Sequence, residues 1–179
     1  MWVFGYGSLL WNPGFAFTTT KLVRLDGYRR SFCMSSIHHR GTSENPGLVL
    51  ALDAAEGFSC NGVAFYVEQA QQHATLDYLR ERELISSAYL EAEVQVHDQG
   101  GFQVMAITYI IDKTHEQYCA DLTLAEQANI IANAVGGMGH NAEYLFNTVS
   151  HLKKLNLTDP ELEWLGTQVR GILDAKKSV

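Results

Sequence analysis

The sequence predicts an α+β domain in which a small, closed or strongly curved β-sheet is flanked by helices. Two observations predict it. Short strand-like segments separated by turn residues fill the first two thirds of the chain, and helical periodicity dominates the last third. The chain has 179 residues, of which 46% are hydrophobic, so it can bury a substantial core. We therefore expect residues 1–179 to form a single domain.

The first strand is predicted at the apolar run that begins at Trp2 and breaks into the turn Gly5-Tyr6-Gly7-Ser8. Glycines let another molecule approach the backbone closely, and N–H groups at the end of a strand can bind a polar or anionic group. A tight turn without a ligand is the alternative interpretation. The segment lacks the third glycine of a dinucleotide fingerprint, so it predicts no nucleotide cofactor.

The next strands are predicted from turn residues and from alternation. Segments 48–52 and 62–67 flank a turn-rich stretch, 53–61, as in a hairpin. Residues 90–97 alternate between apolar and polar side chains, which predicts a strand with one buried face. The segment 102–111 is a nearly continuous apolar run, which is typical of a central strand.

Helices are predicted once among the strands and then at the end of the chain. The inserted helix covers residues 69–86. Thr123 and Glu126 have the spacing of a capping box and open a helix that ends near Val135.

Two further helices follow a glycine-rich segment. Residues 136–141 lack the Lys-Ser/Thr ending of a phosphate-binding loop, so we expect a turn between helices there. The last two helices begin near Asn141 and at 158–161, and the tail from Ala175 is expected to fray.

Charge and cysteine usage exclude several classes of function. The net charge is −7 and basic residues form no cluster longer than two, which argues against nucleic acid as a partner. No stretch approaches the ~20 apolar residues of a membrane span. Cys33, Cys60 and Cys119 are odd in number and widely spaced, which predicts neither disulfides nor a metal site and suits a reducing cytoplasm. Adjacent His38 and His39 on a strand would point to opposite faces and make a poor metal pair.

One carboxylate is predicted to lie on the inward face of the inserted helix. Leu76 and Leu79 define that face, and four residues further on the helical repeat reaches Glu83. Glu81 is rotated about 200° from Leu79 and is expected to face solvent. A solvated glutamate at a helix end is one interpretation of Glu83. A general base is the other, because an inward carboxylate is costly unless it is paired, protonated or catalytic.

Taken together and in this order, these pieces resemble the γ-glutamylcyclotransferases, specifically their ChaC-like, glutathione-degrading branch. The match extends from about Trp2 to Leu155 and covers seven short motifs. The motifs are Val3-Phe4-Gly5-Tyr6-Gly7-Ser8-Leu9 with Trp11, Pro13, Gly14 and Phe15; Gly27-Tyr28 with Arg30, Phe32 and Cys33; Ser36 with His39-Arg40-Gly41-Thr42; Pro46-Gly47; Gly62-Val63-Ala64; Arg82-Glu83; and Asn141 with Glu143-Tyr144-Leu145.

The resemblance implies a small mixed barrel and a lyase that needs no cofactor or metal. The substrate's own α-amino group attacks its γ-carbonyl, so that 5-oxoproline forms and, from glutathione, Cys-Gly is released. The resemblance further implies one catalytic glutamate, Glu83, and a late tyrosine, Tyr144, that contacts substrate. Arg40 is a candidate partner for a substrate carboxylate. The loop that would hold the γ-glutamyl group consists of Tyr6, Gly7, Ser8 and Leu9.

One departure from the family pattern keeps alternatives open. The family usually has Gly-Gly-Tyr shortly after Arg-Glu, and this chain has Ser87-Ala88-Tyr89. Side chains then stand beside the glutamate where the family has bare backbone, which would suit another γ-glutamyl peptide or a γ-glutamylamine as substrate. A third hypothesis is a non-catalytic module that binds a γ-glutamyl ligand or a protein, against which the intact loop and Glu83 argue.

Overall fold

A closed, mixed five-stranded barrel with strand order β1-β3-β2-β4-β5 organises the computed structural model, which describes residues 1–177. The predicted fold class is thereby confirmed. Its strands are β1 Trp2–Gly5, β2 Thr19–Ser36, β3 Gly47–Tyr66, β4 Tyr89–His97 and β5 Gln103–Ile111, with a short hairpin of β6 Val135–Gly136 and β7 Gly139–His140. Its helices are α1 Gln72–Glu83, α2 Leu124–Asn133, α3 Asn141–Lys154 and α4 Pro160–Lys177.

Strand β5 is the central strand that its apolar run predicts. It pairs antiparallel with β4 along its whole length, from Tyr89 opposite Ile111 to His97 opposite Gln103. It also pairs in parallel with β1 and β3. Ala106, Thr108, Tyr109 and Ile111 of this strand are buried, whereas Met105 near its start is 47% exposed.

The predicted hairpin across residues 53–61 is wrong, because β3 runs without interruption from Gly47 to Tyr66. Gly57 has a φ of +80°, so a single left-handed residue accommodates the local bend. Most side chains from Ala54 to Ser59 are exposed or half-buried. The polar residues therefore indicate an exposed stretch in the middle of a strand rather than the end of a strand.

The alternation predicted for β4 holds in the second half of the strand only. Val94 and Val96 are buried, whereas Leu90 is 49% exposed. The alternation in the sequence correctly predicted a strand, but it predicted a buried face along the whole strand, and only the second half of the strand has one.

Helices α2, α3 and α4 begin close to their predicted starts, whereas the inserted helix α1 covers Gln72–Glu83 and is shorter than the predicted 69–86. The Thr123 hydroxyl accepts a hydrogen bond from the Glu126 N–H, and the Glu126 carboxylate accepts one from the Thr123 N–H, which completes the capping box of α2. The hairpin β6–β7 is the turn expected between α2 and α3. Helix α4 continues through Ala175 to Lys177, so these three residues do not fray, and the rest of the predicted tail lies outside the described residues.

By its contacts the chain divides into two compact units, which are described separately. The first comprises residues 1–31 and 51–118, and the second comprises 32–50 and 119–179, of which 178 and 179 are not described. In the second unit α2 and α3 pack against α4 through side chains such as Ile131, Leu145 and Leu165, all at most 1% exposed. None of the helices within residues 1–177 is long and apolar enough to cross a bilayer. That the chain is a single domain stays a prediction.

Candidate active site

The predicted ligand loop follows β1 directly. After Gly5 the chain turns, and residues Ser8–Leu10 form one turn of 3₁₀-helix. Leu9 is 5% exposed and belongs to a buried cluster with Leu79 of α1 and Tyr109 of β5. The N–H groups that begin such a turn have no partner within it. The buried side chain of Leu9 thus holds in place a backbone whose first N–H groups make no hydrogen bond within the turn.

Tyr6 attaches this loop to the barrel. Its hydroxyl donates a buried hydrogen bond of 2.9 Å to the carbonyl oxygen of Tyr109. The side chain is 7% exposed, so its polar atom is turned inward. Tyr6 therefore holds the loop against β5.

Glu83, the last residue of α1, has a largely buried carboxylate. Its side chain is 18% exposed, and Oε1 lies 3.1 Å from Nε of Arg82. That ion pair lacks the alignment of a hydrogen bond, and Oε1 accepts no hydrogen bond from any residue among 1–177. Burial raises the pKa of Glu83, and the charge of Arg82 opposes the rise. A carboxylate whose pKa is raised accepts a proton more readily than an ordinary carboxylate does.

Arg82 connects the glutamate to the loop. Its Nη2 donates to Oγ of Ser8 at 2.7 Å, while Nε faces Glu83. Nη1 donates to the carbonyl oxygen of Asn12 at 2.7 Å. One guanidinium group thus joins two predicted site residues, Glu83 and Ser8, to the backbone at Asn12.

A second polar network lies nearby on α1, β4 and β5. Arg80 binds the carboxylate of Glu91 through two hydrogen bonds of 2.8 and 2.7 Å. Glu91 also accepts a hydrogen bond of 3.1 Å from the Tyr109 hydroxyl. Burial, together with the negative charges of Glu91 and Glu83, raises the pKa of Tyr109, so its phenol stays protonated.

The remaining predicted site residues, Arg40 and Tyr144, lie in the second unit and touch each other there. The guanidinium carbon of Arg40 is 5.6 Å from the centroid of the Tyr144 ring. Nη1 of Arg40 donates to the carbonyl oxygen of His140 at 3.1 Å. Arg40 is 8% exposed, and burial lowers its pKa against the opposing charges of Tyr144 and Glu143.

Helical spacing placed Glu83 correctly but missed Arg82. Glu83 shares the inward side of α1 with Leu79, and Glu81 is exposed. Adjacent residues on a helix generally point in different directions, yet the long side chain of Arg82 folds back onto Glu83. Tyr109 was not singled out either. Its only sequence signal was a tyrosine in an otherwise apolar central strand.

Within the described residues, no group of three or more His, Cys, Asp or Glu side chains is arranged to hold a metal ion.

The position of Ser87 gives a physical reason for the glycine that the family pattern has there. Ser87 has a φ of +55°, in the left-handed region that costs a residue with a side chain about 1–2 kcal/mol. Its N–H donates to the carbonyl oxygen of Leu84, so the turn that follows α1 requires this conformation. The following residue, Ala88, is fully buried.

We predict that Ser87→Gly stabilises the protein by about 1 kcal/mol, because glycine adopts this conformation without a steric penalty. Urea denaturation of the two proteins measures the difference. Asn156→Gly is the matched control: Asn156 also has a φ of +55°, but asparagine tolerates the left-handed region, so a smaller gain is expected. A loss of stability in Ser87→Gly would contradict the prediction.

Comparison with known proteins gives consistent results. The model of a family described as ChaC-like protein matches residues 1–172. A glutathione-specific γ-glutamylcyclotransferase of Escherichia coli is 38% identical over 173 residues, which are 97% of this chain and 74% of that protein. A protein named glutathione-specific γ-glutamylcyclotransferase 1 from Danio rerio is 35% identical over 166 residues, 90% of this chain and 85% of its own. The crystal structure of a yeast γ-glutamylcyclotransferase specific to glutathione superposes with a TM-score of 0.87 at 25% identity and covers 96% of both chains.

Proposed function

Since this chain belongs to the ChaC-like protein family, we propose that it is a γ-glutamylcyclotransferase that acts on glutathione. The substrate's α-amino nitrogen forms a bond to its own γ-carbonyl carbon, and the amide bond between that carbon and the cysteine nitrogen breaks. The products are 5-oxoproline and Cys-Gly, so the enzyme is a lyase. The reaction is internal to the substrate and requires neither an oxidant nor a second reactant.

The buried carboxylate of Glu83 is the observation that carries this proposal. Free α-amino groups have a pKa near 8 and are largely protonated at neutral pH, so the attacking nitrogen must lose a proton. Glu83 accepts that proton and later gives it to the leaving nitrogen. Its raised pKa supports the first step, because a carboxylate with a higher pKa is a stronger base. This role typically accelerates a reaction by ~10²–10⁴-fold.

The loop after β1 provides the binding site for the γ-glutamyl group in this proposal. Backbone N–H groups of Gly7, Ser8 and Leu9 stabilise the oxyanion that forms at the γ-carbonyl, where one lost donor costs about 3–4 kcal/mol in other enzymes. The anchoring of Tyr6 and Leu9 in the barrel supports this role, because donors must be held in place before the charge develops.

Arg40 and Tyr144 are proposed as further substrate-binding residues. The guanidinium group of Arg40 donates a hydrogen bond to the neutral carbonyl oxygen of His140, and the negative charge of Glu143 acts on it from nearby. A carboxylate of the substrate, such as that of the glycine of glutathione, is a suitable counter-charge. We also place the enzyme in the cytoplasm, which suits three widely spaced cysteines.

The test is mass spectrometry for 5-oxoproline after incubation of the purified protein with glutathione, and with γ-glutamyl dipeptides and γ-glutamylamines in parallel. Product from glutathione supports the proposal. Product from another γ-glutamyl compound alone would assign a different substrate and give weight to the Ser87-Ala88 departure. No product from any of them would favour a non-catalytic binding module.

A further inference from the structure

Arg82, in the last turn of α1, makes an unusually large number of polar contacts. Its Nη1 donates to the carbonyl oxygens of Asn12 and Pro13 at 2.7 and 3.3 Å and to the hydroxyl of Tyr78 at 3.0 Å. Its Nη2 donates to Oγ of Ser8 at 2.7 Å, and its Nε lies 3.1 Å from Oε1 of Glu83. Every nitrogen of the guanidinium group therefore faces a partner, and the side chain is 20% exposed.

The partners of Arg82 lie on three sides, and the planar guanidinium group has hydrogen-bond donors that point to all three. One direction leads to the ligand loop at Ser8, one to the backbone after that loop at Asn12, and one to Glu83. A lysine has a single ammonium group at the end of a flexible chain and could not hold all three in place. Arg80, two residues earlier on the same helix, instead binds Glu91.

We propose that Arg82 is a positioning residue, which fixes the Ser8–Asn12 backbone and the carboxylate of Glu83 relative to each other. The inference rests on the proposed function for the meaning of that geometry, since the loop must bind the γ-carbonyl oxygen while Glu83 moves protons at the two nitrogen atoms that bond to the same carbon. Arg82 is not itself placed against the reacting atoms. It acts through the two groups that it holds.

The positive charge of Arg82 has a second consequence for Glu83. Two titratable groups influence or respond to this carboxylate: Arg82 on α1, and Tyr109 on β5, whose neutral phenol carries no charge at ordinary pH. Burial raises the pKa of Glu83 and Arg82 limits that rise. Without Arg82 the carboxyl group would hold its proton to higher pH, and the base form would be scarcer at neutral pH.

The experiment compares the pH profiles of kcat/KM of the wild type, Arg82→Met and Arg82→Lys. Arg82→Met loses both the planar set of donors and the positive charge. Because the loop and Glu83 are then no longer held in place, we expect kcat/KM at neutral pH to fall about 10²-fold. Because the charge is lost, the acid limb of the pH profile should move to higher pH. Arg82→Lys keeps the charge and loses the planar set of donors, so its acid limb stays near that of the wild type while KM rises about tenfold. Arg80→Met, which removes a cation from the same helix, should change neither quantity.

Two outcomes would overturn the inference. The first is an Arg82→Met enzyme with the wild-type kcat/KM and acid limb, and the second is an acid limb that moves equally in Arg80→Met. If Arg82→Met does not fold, the rise in KM of Arg82→Lys decides, and an unchanged KM refutes the positioning role.

A titration that needs no turnover separates this inference from the proposed function. Carboxyl NMR of protein labelled at glutamate follows Glu83 directly, with Glu83→Gln used to assign its signal. The signal should titrate at higher pH in Arg82→Met than in the wild type. If the wild type has no activity but the Glu83 signal still titrates at higher pH in Arg82→Met, the proposed function is refuted and the link between Arg82 and Glu83 remains. An unshifted signal would refute that link.

Discussion

Glu83→Gln should lower 5-oxoproline formation by ~10²–10⁴-fold or more, to the limit of detection. Glutamine has the same shape and can still face Nε of Arg82, which lies 3.1 Å from Oε1 in the wild type. It cannot accept a proton from the substrate's amine. Substrate binding should therefore survive, and single-turnover assays with matched binding measurements would show a loss in the chemical step alone. Full activity in the purified variant would remove Glu83 from the mechanism.

The same substitution should make the protein more stable at neutral pH. Burial raises the pKa of Glu83 above the ordinary carboxyl value of 4.5, so the folded chain holds this proton more tightly than the unfolded chain. Ionisation of Glu83 therefore lowers the free energy of unfolding as the pH rises from 4.5 through the pKa of Glu83 in the folded state. Above that pKa the full loss of stability is present. Glutamine avoids that cost, and each kcal/mol gained raises Tm by about 2–4 °C.

Calorimetry at two pH values checks this sign. The excess Tm of Glu83→Gln should be largest at pH 7 to 8 and should shrink as the pH falls toward 4.5. A variant that is less stable than the wild type at pH 8 would show that the carboxylate is well compensated in the fold.

Glu81→Gln is the matched control for both measurements. Glu81 lies on the same last turn of α1, two residues earlier, and its side chain is exposed. Activity and Tm should both stay close to the wild type. A comparable loss of activity in Glu81→Gln would mean that the wrong carboxylate has been assigned.

Gly41→Ala should destabilise the protein by about 3 kcal/mol or more, which is the upper range for steric overpacking. A Cβ atom at Gly41 would lie 2.0 Å from the backbone nitrogen of Gly47 and 2.5 Å from the carbonyl oxygen of Ser36. Both neighbours are main-chain atoms, which cannot turn aside as a flexible side chain can. The loop that carries Arg40 would have to move, so we expect lost stability and weaker substrate binding together.

Gly171→Ala is the control for the prediction at Gly41. Gly171 lies within α4, and a Cβ atom there would meet nothing within 4 Å. Alanine is the better helix former, so this variant should gain about 0.5–1 kcal/mol. Denaturant unfolding of both variants gives the comparison. A Gly41→Ala protein as stable as the wild type would show that the two loop segments separate easily.

Elements with strong local signals were predicted well. The capping box at Thr123 and Glu126 set the start of α2, and the apolar run of 102–111 gave the central strand β5. Helical spacing placed Glu83 on the buried side of α1. In each case the information lies within about one or two turns of helix or one strand, where residue type and spacing act directly on the backbone.

Elements that depend on distant partners were predicted less well. The polar stretch 53–61 was interpreted as a turn, yet it continues β3 because its backbone pairs in the barrel. Leu90 has the alternation of a buried residue and is 49% exposed. Whether a strand residue is buried depends on what covers that face, and this is decided by other segments of the chain.

The fold class, most of the element starts, the turn after β1 and the inward position of Glu83 can be predicted without the structure. These follow from periodicity, capping residues and glycine, which all act over a few residues. Only the tertiary structure joined the parts of the candidate site. Arg82 reaches Ser8 across 74 residues, and the Tyr6 hydroxyl reaches the Tyr109 carbonyl across 103. Contacts at such separations are set by how the strands close into a barrel, and local sequence preferences leave that closure undetermined.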